Sequence, residues 1–135
     1  EPLFDTVETW QKCLLVLTPM LRTMTIRKDA MLQAAKGGFT NATDLADYLV
    51  RKGIPFRDAH AIVGKLVAEC LDRGISLDEV SLEEYKAHNP LIEDDIYDAI
   101  AVYTCMANRN TIGGPSVAQT TATIAAEREF LAQRM

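Results

Sequence analysis

The sequence predicts an all-α protein in which one long bundle helix is followed by a compact domain of short helices. Apolar residues at the start of the chain recur every three or four positions, which is the spacing of one helix face. Further along, a Lys or Arg followed by Gly marks several helix ends, because a cation suits the C-terminal dipole and Gly can turn left-handed. Only Ile100–Cys105 resembles a strand, and the acidic residues before it favour a helix.

The first 24 residues predict a long helix with a narrow apolar stripe. The stripe has the spacing of a seam along which one helix packs lengthwise on another. It consists of Leu3, Val7, Trp10, Leu14, Leu17, Leu21 and Met24. Pro19 lies inside this helix and removes one backbone hydrogen bond, so we expect a kink there. The stripe could pack on the rest of this chain, but the unbroken heptad favours helices of a longer parent protein or of other subunits.

The remaining elements are predicted from capping residues and helix breakers. The predicted helices are Asp29–Lys36, Ala42–Lys52, Pro55–Arg73, one from Glu93 to about Tyr103, and a final helix that Ser116 opens after the loop Gly113-Gly114-Pro115. Thr40 and Asn41 are N-cap candidates for the helix Ala42–Lys52, and Asp44 lies in its first turn. Capping boxes of the form Ser-x-x-Glu begin at Ser76 and Ser81 and mark two short helical turns.

A domain boundary is predicted near Gly37. Residues 1–36 would be the end of a helical-bundle domain, and residues 37–135 a compact all-α domain. The chain opens at Glu1-Pro2 with no Met and no signal segment, so we expect it to come from a longer protein.

Composition excludes several classes of protein. The chain has 135 residues, of which 48% are hydrophobic, and it carries a formal net charge of −5. The apolar fraction excludes disorder, and no apolar run approaches the roughly 20 residues that span a bilayer. The acidic balance argues against nucleic acid as a partner, including a helix-turn-helix DNA binder built from Ala42–Arg73. The sequence therefore predicts neither a membrane protein nor a nucleic-acid-binding one.

The three cysteines predict a reducing, cytoplasmic location. Cys13, Cys70 and Cys105 are odd in number, far apart and surrounded by apolar residues, which is not the pattern of a disulfide scaffold. Only Cys13 has a neighbour of the kind that activates a thiol, Lys12, but it lies in the interior of a helix, so we expect buried, inert thiols.

The other residues with possible chemistry are better explained by structure. His60 and His88 are too far apart, and lack acids at ligand spacing, to form a metal site. The run Glu93-Asp94-Asp95 is expected to serve a helix N-terminus, because neighbouring helical residues point in different directions and do not converge on one ion. The loop 113–116, with Arg109 upstream, could cradle an anion, but a structural turn is the expected role. No residue is predicted to be catalytic, substrate-binding, cofactor-binding or metal-binding.

Five stretches of the chain resemble argininosuccinate lyases, in the same order. The long stretch Gly38–Gly64 resembles the C-terminal domain of that family, and Glu1–Asp5 resembles the start of its long central helix. Ser81–Glu84 and Pro90–Asp95 are similar to the short helices that follow. Asn108–Gly114 resembles the family's Arg-x-x-x-Gly-Gly turn. The chain is identified on these stretches as the C-terminal portion of a family member.

The resemblance implies an enzyme of the fumarase/aspartase superfamily, a homotetramer built on a bundle of long helices. Such an enzyme cleaves argininosuccinate reversibly to arginine and fumarate in arginine biosynthesis, without metal or organic cofactor. The family's catalytic segments are a mobile loop with the signature Ser-Ser-x-Met-Pro-x-Lys-x-Asn, an earlier His segment, and a Tyr, Gln and Lys that would immediately precede Glu1. No position of this sequence matches them.

Two hypotheses follow from the resemblance. The chain is either the C-terminal part of an argininosuccinate lyase, inactive alone, or part of a non-catalytic structural homologue such as the family's lens crystallins. In either case we expect self-association through the Leu3–Met24 seam.

Overall fold

The computed structural model describes residues 1–134 and confirms the all-α class. Within this range there are helices and no strands. The helices are α1 Pro2–Thr23, α2 Lys28–Lys36, α3 Ala42–Arg51, α4 Phe56–Arg73, α5 Leu82–His88, α6 Ile96–Ala99, α7 Val102–Asn108 and α8 Val117–Ala132. A 3-10 turn, Leu77–Glu79, lies between α4 and α5. The chain divides into two units, Glu1–Met31 and Leu32–Met135, while the domain boundary near Gly37 stays a prediction.

The first unit contains α1, which runs as one helix through Pro19. Pro2 occupies the first turn, where its missing N–H would have no partner in any case. The hydroxyl of Thr18 donates to the carbonyl of Leu14 (2.9 Å), and the hydroxyl of Thr23 donates to that of Pro19 (3.0 Å). No residue of α1 is buried. The predicted kink at Pro19 stays a prediction.

The second unit is built around α3 and α4, which end as their sequences predict. Gly74 closes α4 with φ +67, a left-handed conformation that Gly adopts without the steric cost of a Cβ. The N–H of the following Ile75 donates to the carbonyl of Cys70 (3.0 Å), which satisfies one of the last carbonyls of the helix. Both predicted ends therefore lie within one residue of the observed ones.

The core of the second unit lies between α3, α4 and the short elements that follow. Its buried apolar residues are Leu45, Ala46, Tyr48, Leu49, Ile54, Ala59, Val63, Leu66, Cys70, Leu77, Val80, Tyr85, Ile92, Ile96 and Ile100. Tyr85 is fully buried and donates its hydroxyl to the carbonyl of Leu77 (2.8 Å), so burial of the ring leaves no unpaired polar atom. The ring of Tyr97 meets that of Tyr85 edge to face, with centroids 6.1 Å apart.

Both predicted capping boxes are confirmed. The carboxylate of Glu84 accepts from the backbone N–H of Ser81 (3.0 Å), while the Ser81 hydroxyl accepts from the N–H of Glu84 (3.3 Å). Ser76 and Glu79 form the same arrangement at the 3-10 turn. These bonds satisfy backbone N–H groups that would otherwise be free at the start of the two short elements.

The prediction of a single helix from Glu93 to about Tyr103 is wrong. Residues 93–95 form a turn, α6 ends at Ala99, and α7 begins at Val102. The side-chain amide of Asn41 donates to the carbonyl of Ile100 (3.1 Å), so this carbonyl is used by a distant residue at the break. Asn41 does stand at the N-cap position of α3, but its side chain makes no cap bond and donates to Ile100 and to Asp78 (3.1 Å) instead.

Candidate functional site

The two histidines lie apart and in ordinary surroundings. Among residues 1–134 no three His, Cys, Asp or Glu side chains come together in a way that could hold a metal ion. His88 Nε2 lies 3.0 Å from Glu69, which joins α5 to α4. His60 packs its ring against Phe56, with centroids 6.2 Å apart. Their roles in the structure are those of packing and surface pairing.

The cysteines confirm the expected chemistry at two positions and correct it at the third. Cys70 and Cys105 are buried, and burial raises the pKa of both thiols, that of Cys105 to about 11. Such thiols stay protonated and react slowly at neutral pH. Cys13 is exposed on α1, contrary to the expectation of three buried thiols.

The acidic run 93–95 directly precedes α6, with Asp95 at the N-cap position as its sequence predicts, and it also pairs with a cation of α3's C-terminal end. Glu93 and Asp95 both contact the ammonium group of Lys52, at 3.2 Å for Asp95. They converge because this segment is a turn, whereas on a helix they would point apart. The hydroxyl of Tyr48 donates to Asp95, and this bond is the main cause of the lowered pKa of the Asp95 carboxyl. The cluster joins the end of α3 to the turn before α6.

A second ion pair, between Asp44 and Arg109, joins α3 to the end of α7. Arg109 Nη1 lies 3.0 Å from Asp44 Oδ1, and Nη2 lies 2.8 Å from Oδ2, a bidentate geometry that strengthens the pair. Arg109 Nη1 also donates to the carbonyl of Cys105. The carboxylate raises the pKa of the Arg109 guanidinium. Sequence reasoning missed this pair, because Asp44 at the start of a helix is already explained by the helix dipole.

The loop after α7 forms a hydrogen-bonded turn, which is the conformation expected of it. The N–H of Gly114 donates to the carbonyl of Thr111 (2.8 Å), and the hydroxyl of Ser116 donates to the side-chain carbonyl of Asn110 (2.8 Å). The guanidinium of Arg109, which could have attracted an anion, faces Asp44 instead.

A cleft of about 640 Å³ lies in the second unit, beside the end of α4. Lys36, Gly74, Asp78 and Glu79 are among its lining residues. Its acids are already engaged, since Asp78 accepts from Asn41 and Glu79 closes its capping box. The cleft therefore offers no convergent set of free acid, base and nucleophile.

The most unusual surface of the chain is the apolar surface of α1. It consists of the exposed helix residues Leu3, Phe4, Val7, Trp10, Leu14, Leu15, Val16, Leu17, Met20 and Leu21, and it continues into Met24 directly after the helix. Trp10 is 70% exposed and Leu15 74%. Residues 13–17, Cys-Leu-Leu-Val-Leu, occupy every side of the helix, because five consecutive positions cover more than one turn. A helix that is apolar all round is typical of one enclosed by several neighbours, and the narrow seam predicted from the heptad describes only one side of it.

The family model for the C-terminal part of argininosuccinate lyase matches residues 39–107, just over half of the chain. The chain belongs to the argininosuccinate lyase family. The matched range starts at the turn before α3 and runs into α7, and it includes the whole core of the second unit. The family that its motifs resemble is thus confirmed.

Curated argininosuccinate lyases match almost the whole chain. That of Pelotomaculum thermopropionicum is 53% identical over 134 residues, which are 99% of this chain and 29% of that protein. That of Desulforamulus reducens is 52% identical over 133 residues, 98% of this chain and again 29% of the relative. The chain spans less than a third of the length of these argininosuccinate lyases.

Solved structures of a lyase share the fold of this family member. A variant of EDDS lyase with bound fumarate aligns with a TM-score of 0.74 and 30% identity, over 83% of this chain and 24% of that one. EDDS lyase in complex with formate aligns with a TM-score of 0.75 over the same shares. No helix within residues 1–134 is long and apolar enough to cross a membrane.

Proposed function

We propose that this chain is the C-terminal region of an argininosuccinate lyase whose full-length form cleaves argininosuccinate reversibly to arginine and fumarate by β-elimination. The observation that carries the proposal is the match of the family's C-terminal model to residues 39–107, inside a chain that relatives of that name cover almost completely at about 50% identity. The EDDS lyase neighbour that holds fumarate supports a product of this class.

The role of this region in the enzyme is structural. Its polar clusters consist of side chains that pair with one another, such as Asp44 with Arg109 and Lys52 with Glu93 and Asp95. We therefore place the catalytic and substrate-binding residues in the part of the protein that this chain does not contain. No cofactor is assigned to the chain. Residues 1–36 would belong to the helical bundle, and residues 37–135 would form the C-terminal domain.

Assembly through α1 is part of the proposal. A single helix with ten exposed large apolar residues is costly to leave in water, because each Val, Leu or Met side chain that is buried contributes about 1.5–3 kcal/mol. The apolar ring at residues 13–17 requires neighbours on more than one side. This arrangement suits a homotetramer in which α1 lies inside a bundle of long helices. The three free cysteines suit a cytoplasmic enzyme.

The isolated 135-residue chain should release no fumarate from argininosuccinate above a blank. The matched experiment joins the part of the Pelotomaculum thermopropionicum enzyme that precedes its matched residues to this chain, and assays fumarate release. The relative's upstream part alone is the control. We expect activity from the joined protein only. Turnover by the isolated chain would show that it contains catalytic residues, contrary to the proposal. A joined protein that folds but has no activity would contradict the proposal that this chain is the C-terminal region of an argininosuccinate lyase.

A further inference from the structure

The loop Arg109–Ser116 presents an apolar side chain to solvent in a fixed position. Ile112 is 99% exposed at its tip, the most exposed large apolar residue within positions 1–134. Single exposed apolar residues are common on protein surfaces, and on a flexible loop they would need no explanation. What distinguishes Ile112 is the way in which the chain around it is held.

The turn at the tip of the loop is restrained by a hydrogen bond and by two glycines. Gly113 has φ +79 in the third position of the turn, the value that a type II turn requires. The N–H of Gly114 donates to the carbonyl of Thr111 across it (2.8 Å). A Cβ at Gly114 would lie 2.2 Å from the carbonyl oxygen of Arg109, so no residue but glycine fits there. Ile112 is itself β-branched, and its side chain has few rotamers.

Both ends of the loop are held to the second unit by side-chain contacts. Arg109 at one end is held by the bidentate pair with Asp44 on α3. Ser116 at the other end is 3% exposed, and its hydroxyl donates to Asn110 (2.8 Å). Val117, which follows directly, is also exposed and extends the apolar character of the tip. The conformational entropy of this loop is therefore already lost when the chain folds, so a binding partner would not have to order the loop.

We infer that the loop Arg109–Ser116 is a preformed docking element, and that Ile112 inserts into an apolar site on the part of the full-length lyase that precedes this chain. This inference rests on the proposed function. The occupant follows from length: relatives place more than twice as much chain outside this region as within it. A rigid apolar tip with its ordering cost already met suits a permanent contact within one enzyme.

The test measures whether a thiol at position 112 becomes protected in the assembled protein. Ile112→Cys is introduced in a Cys13→Ser background, since Cys13 is exposed while Cys70 and Cys105 are buried. The rate of labelling by a maleimide is compared between the isolated chain and the joined protein described above. The same variants unfolded in denaturant give the full rate, and Lys86→Cys on the exposed face of α5 is the control.

We expect labelling at position 112 to slow at least tenfold in the joined protein, while Lys86→Cys keeps its rate. Equal rates at position 112 in the two proteins would overturn the inference, as would equal protection at both positions. Protection in the concentrated isolated chain would also overturn it, because the occupant would then be a second copy of this region. If the joined protein does not fold, the chain is mixed with the separately produced upstream part and labelled by the same criterion.

The two proposals fail in different ways. Fumarate release by the joined protein tests the proposed function and does not depend on Ile112. A joined protein that is active but leaves position 112 fully reactive would contradict only the docking of this loop.

Discussion

Removing Arg109 should destabilise the second unit more than removing any exposed ion pair. Arg109→Met leaves the Asp44 carboxylate, whose side chain is only 10% exposed, without either of its guanidinium bonds. Breaking a buried pair from one side costs about 3–5 kcal/mol. The Arg109 side chain is 42% exposed, so water can reach the vacated position and lessen this cost. We therefore expect the free energy of unfolding to fall by about 2–3 kcal/mol.

The assay is urea unfolding followed by the far-ultraviolet circular dichroism of the helices. The fluorescence of the single tryptophan is unsuitable, because Trp10 lies on α1 and not in the second unit. All variants carry Leu14→Asp so that association through α1 does not alter the midpoint. With a urea slope of about 2 kcal/mol/M, Arg109→Met should lower the midpoint by about 1–1.5 M.

The matched control is Arg73→Met, which removes an exposed ion pair with Glu84. Its midpoint should change little, since exposed pairs are screened by water and salt. Adding Asp44→Asn to Arg109→Met should recover part of the loss, because no buried charge is then left unpaired. The reasoning is refuted if Arg109→Met and Arg73→Met shift the midpoint equally, or if Asp44→Asn recovers nothing.

Three further outcomes follow from the structure. Leu14→Asp should weaken self-association of the chain in sedimentation equilibrium, because it places a charge in a dry interface; an unchanged mass would count against the apolar surface of α1. Gly114→Ala should destabilise the chain in urea by about 2 kcal/mol or more, while Gly64→Ala in α4, where an added Cβ meets nothing within 4 Å, should stabilise it by about 0.5–1 kcal/mol; equal effects would refute the steric argument. The capping-box hydrogen bonds from Ser81 lower the pKa of Glu84 from 4.5 to about 2. The Glu84 carboxylate therefore stabilises the folded chain fully above pH 4.5, and this contribution is lost as the pH falls through 2. The midpoint temperature of thermal unfolding should therefore fall less steeply between pH 5 and 2 in Glu84→Gln than in the parent chain. Parallel dependences of the two midpoints on pH would contradict this assignment.

Features fixed by neighbouring residues could be predicted from the sequence. The capping boxes at Ser76 and Ser81, and the left-handed Gly74 that ends α4, depend on residues within one turn of the chain. Local sequence carries the whole of such a signal, and their predicted positions are confirmed. The family itself could be identified because its motifs are long and occur in the expected order.

Features fixed by residues distant in sequence could not be predicted. Asn41 has the sequence of an N-cap, but its amide is used by Ile100, 59 positions away. From the sequence, Asp44 is explained by its favourable interaction with the helix dipole. In the structure it also pairs with the guanidinium of Arg109, 65 positions away. The break between α6 and α7 lies at the Ile100 carbonyl that accepts the bond from Asn41. In each case a local explanation was sufficient, and nothing in the sequence distinguished it from the tertiary one.

The apolar ring of α1 is a local feature of the sequence. The five residues 13–17 are consecutive and apolar, whereas the heptad that includes Leu14 and Leu17 predicts an apolar stripe on one side of the helix only. Exposure of all five in the structure shows that the seam is too narrow a description. The number of neighbours that a helix requires depends on its whole circumference.

The span of the Asp44–Arg109 pair has a consequence for the order of folding. Contacts between α3 and α4, which follow each other in the chain, need only a short loop to close and can form early. The ion pair closes a loop of 65 residues, whose entropy must be lost before the pair can form, so we expect it to form after the folding transition state. Arg109→Met should then leave the refolding rate nearly unchanged and speed unfolding roughly 30- to 150-fold. The pair would contribute kinetic stability, because it slows the unfolding of the second unit without changing how fast that unit folds.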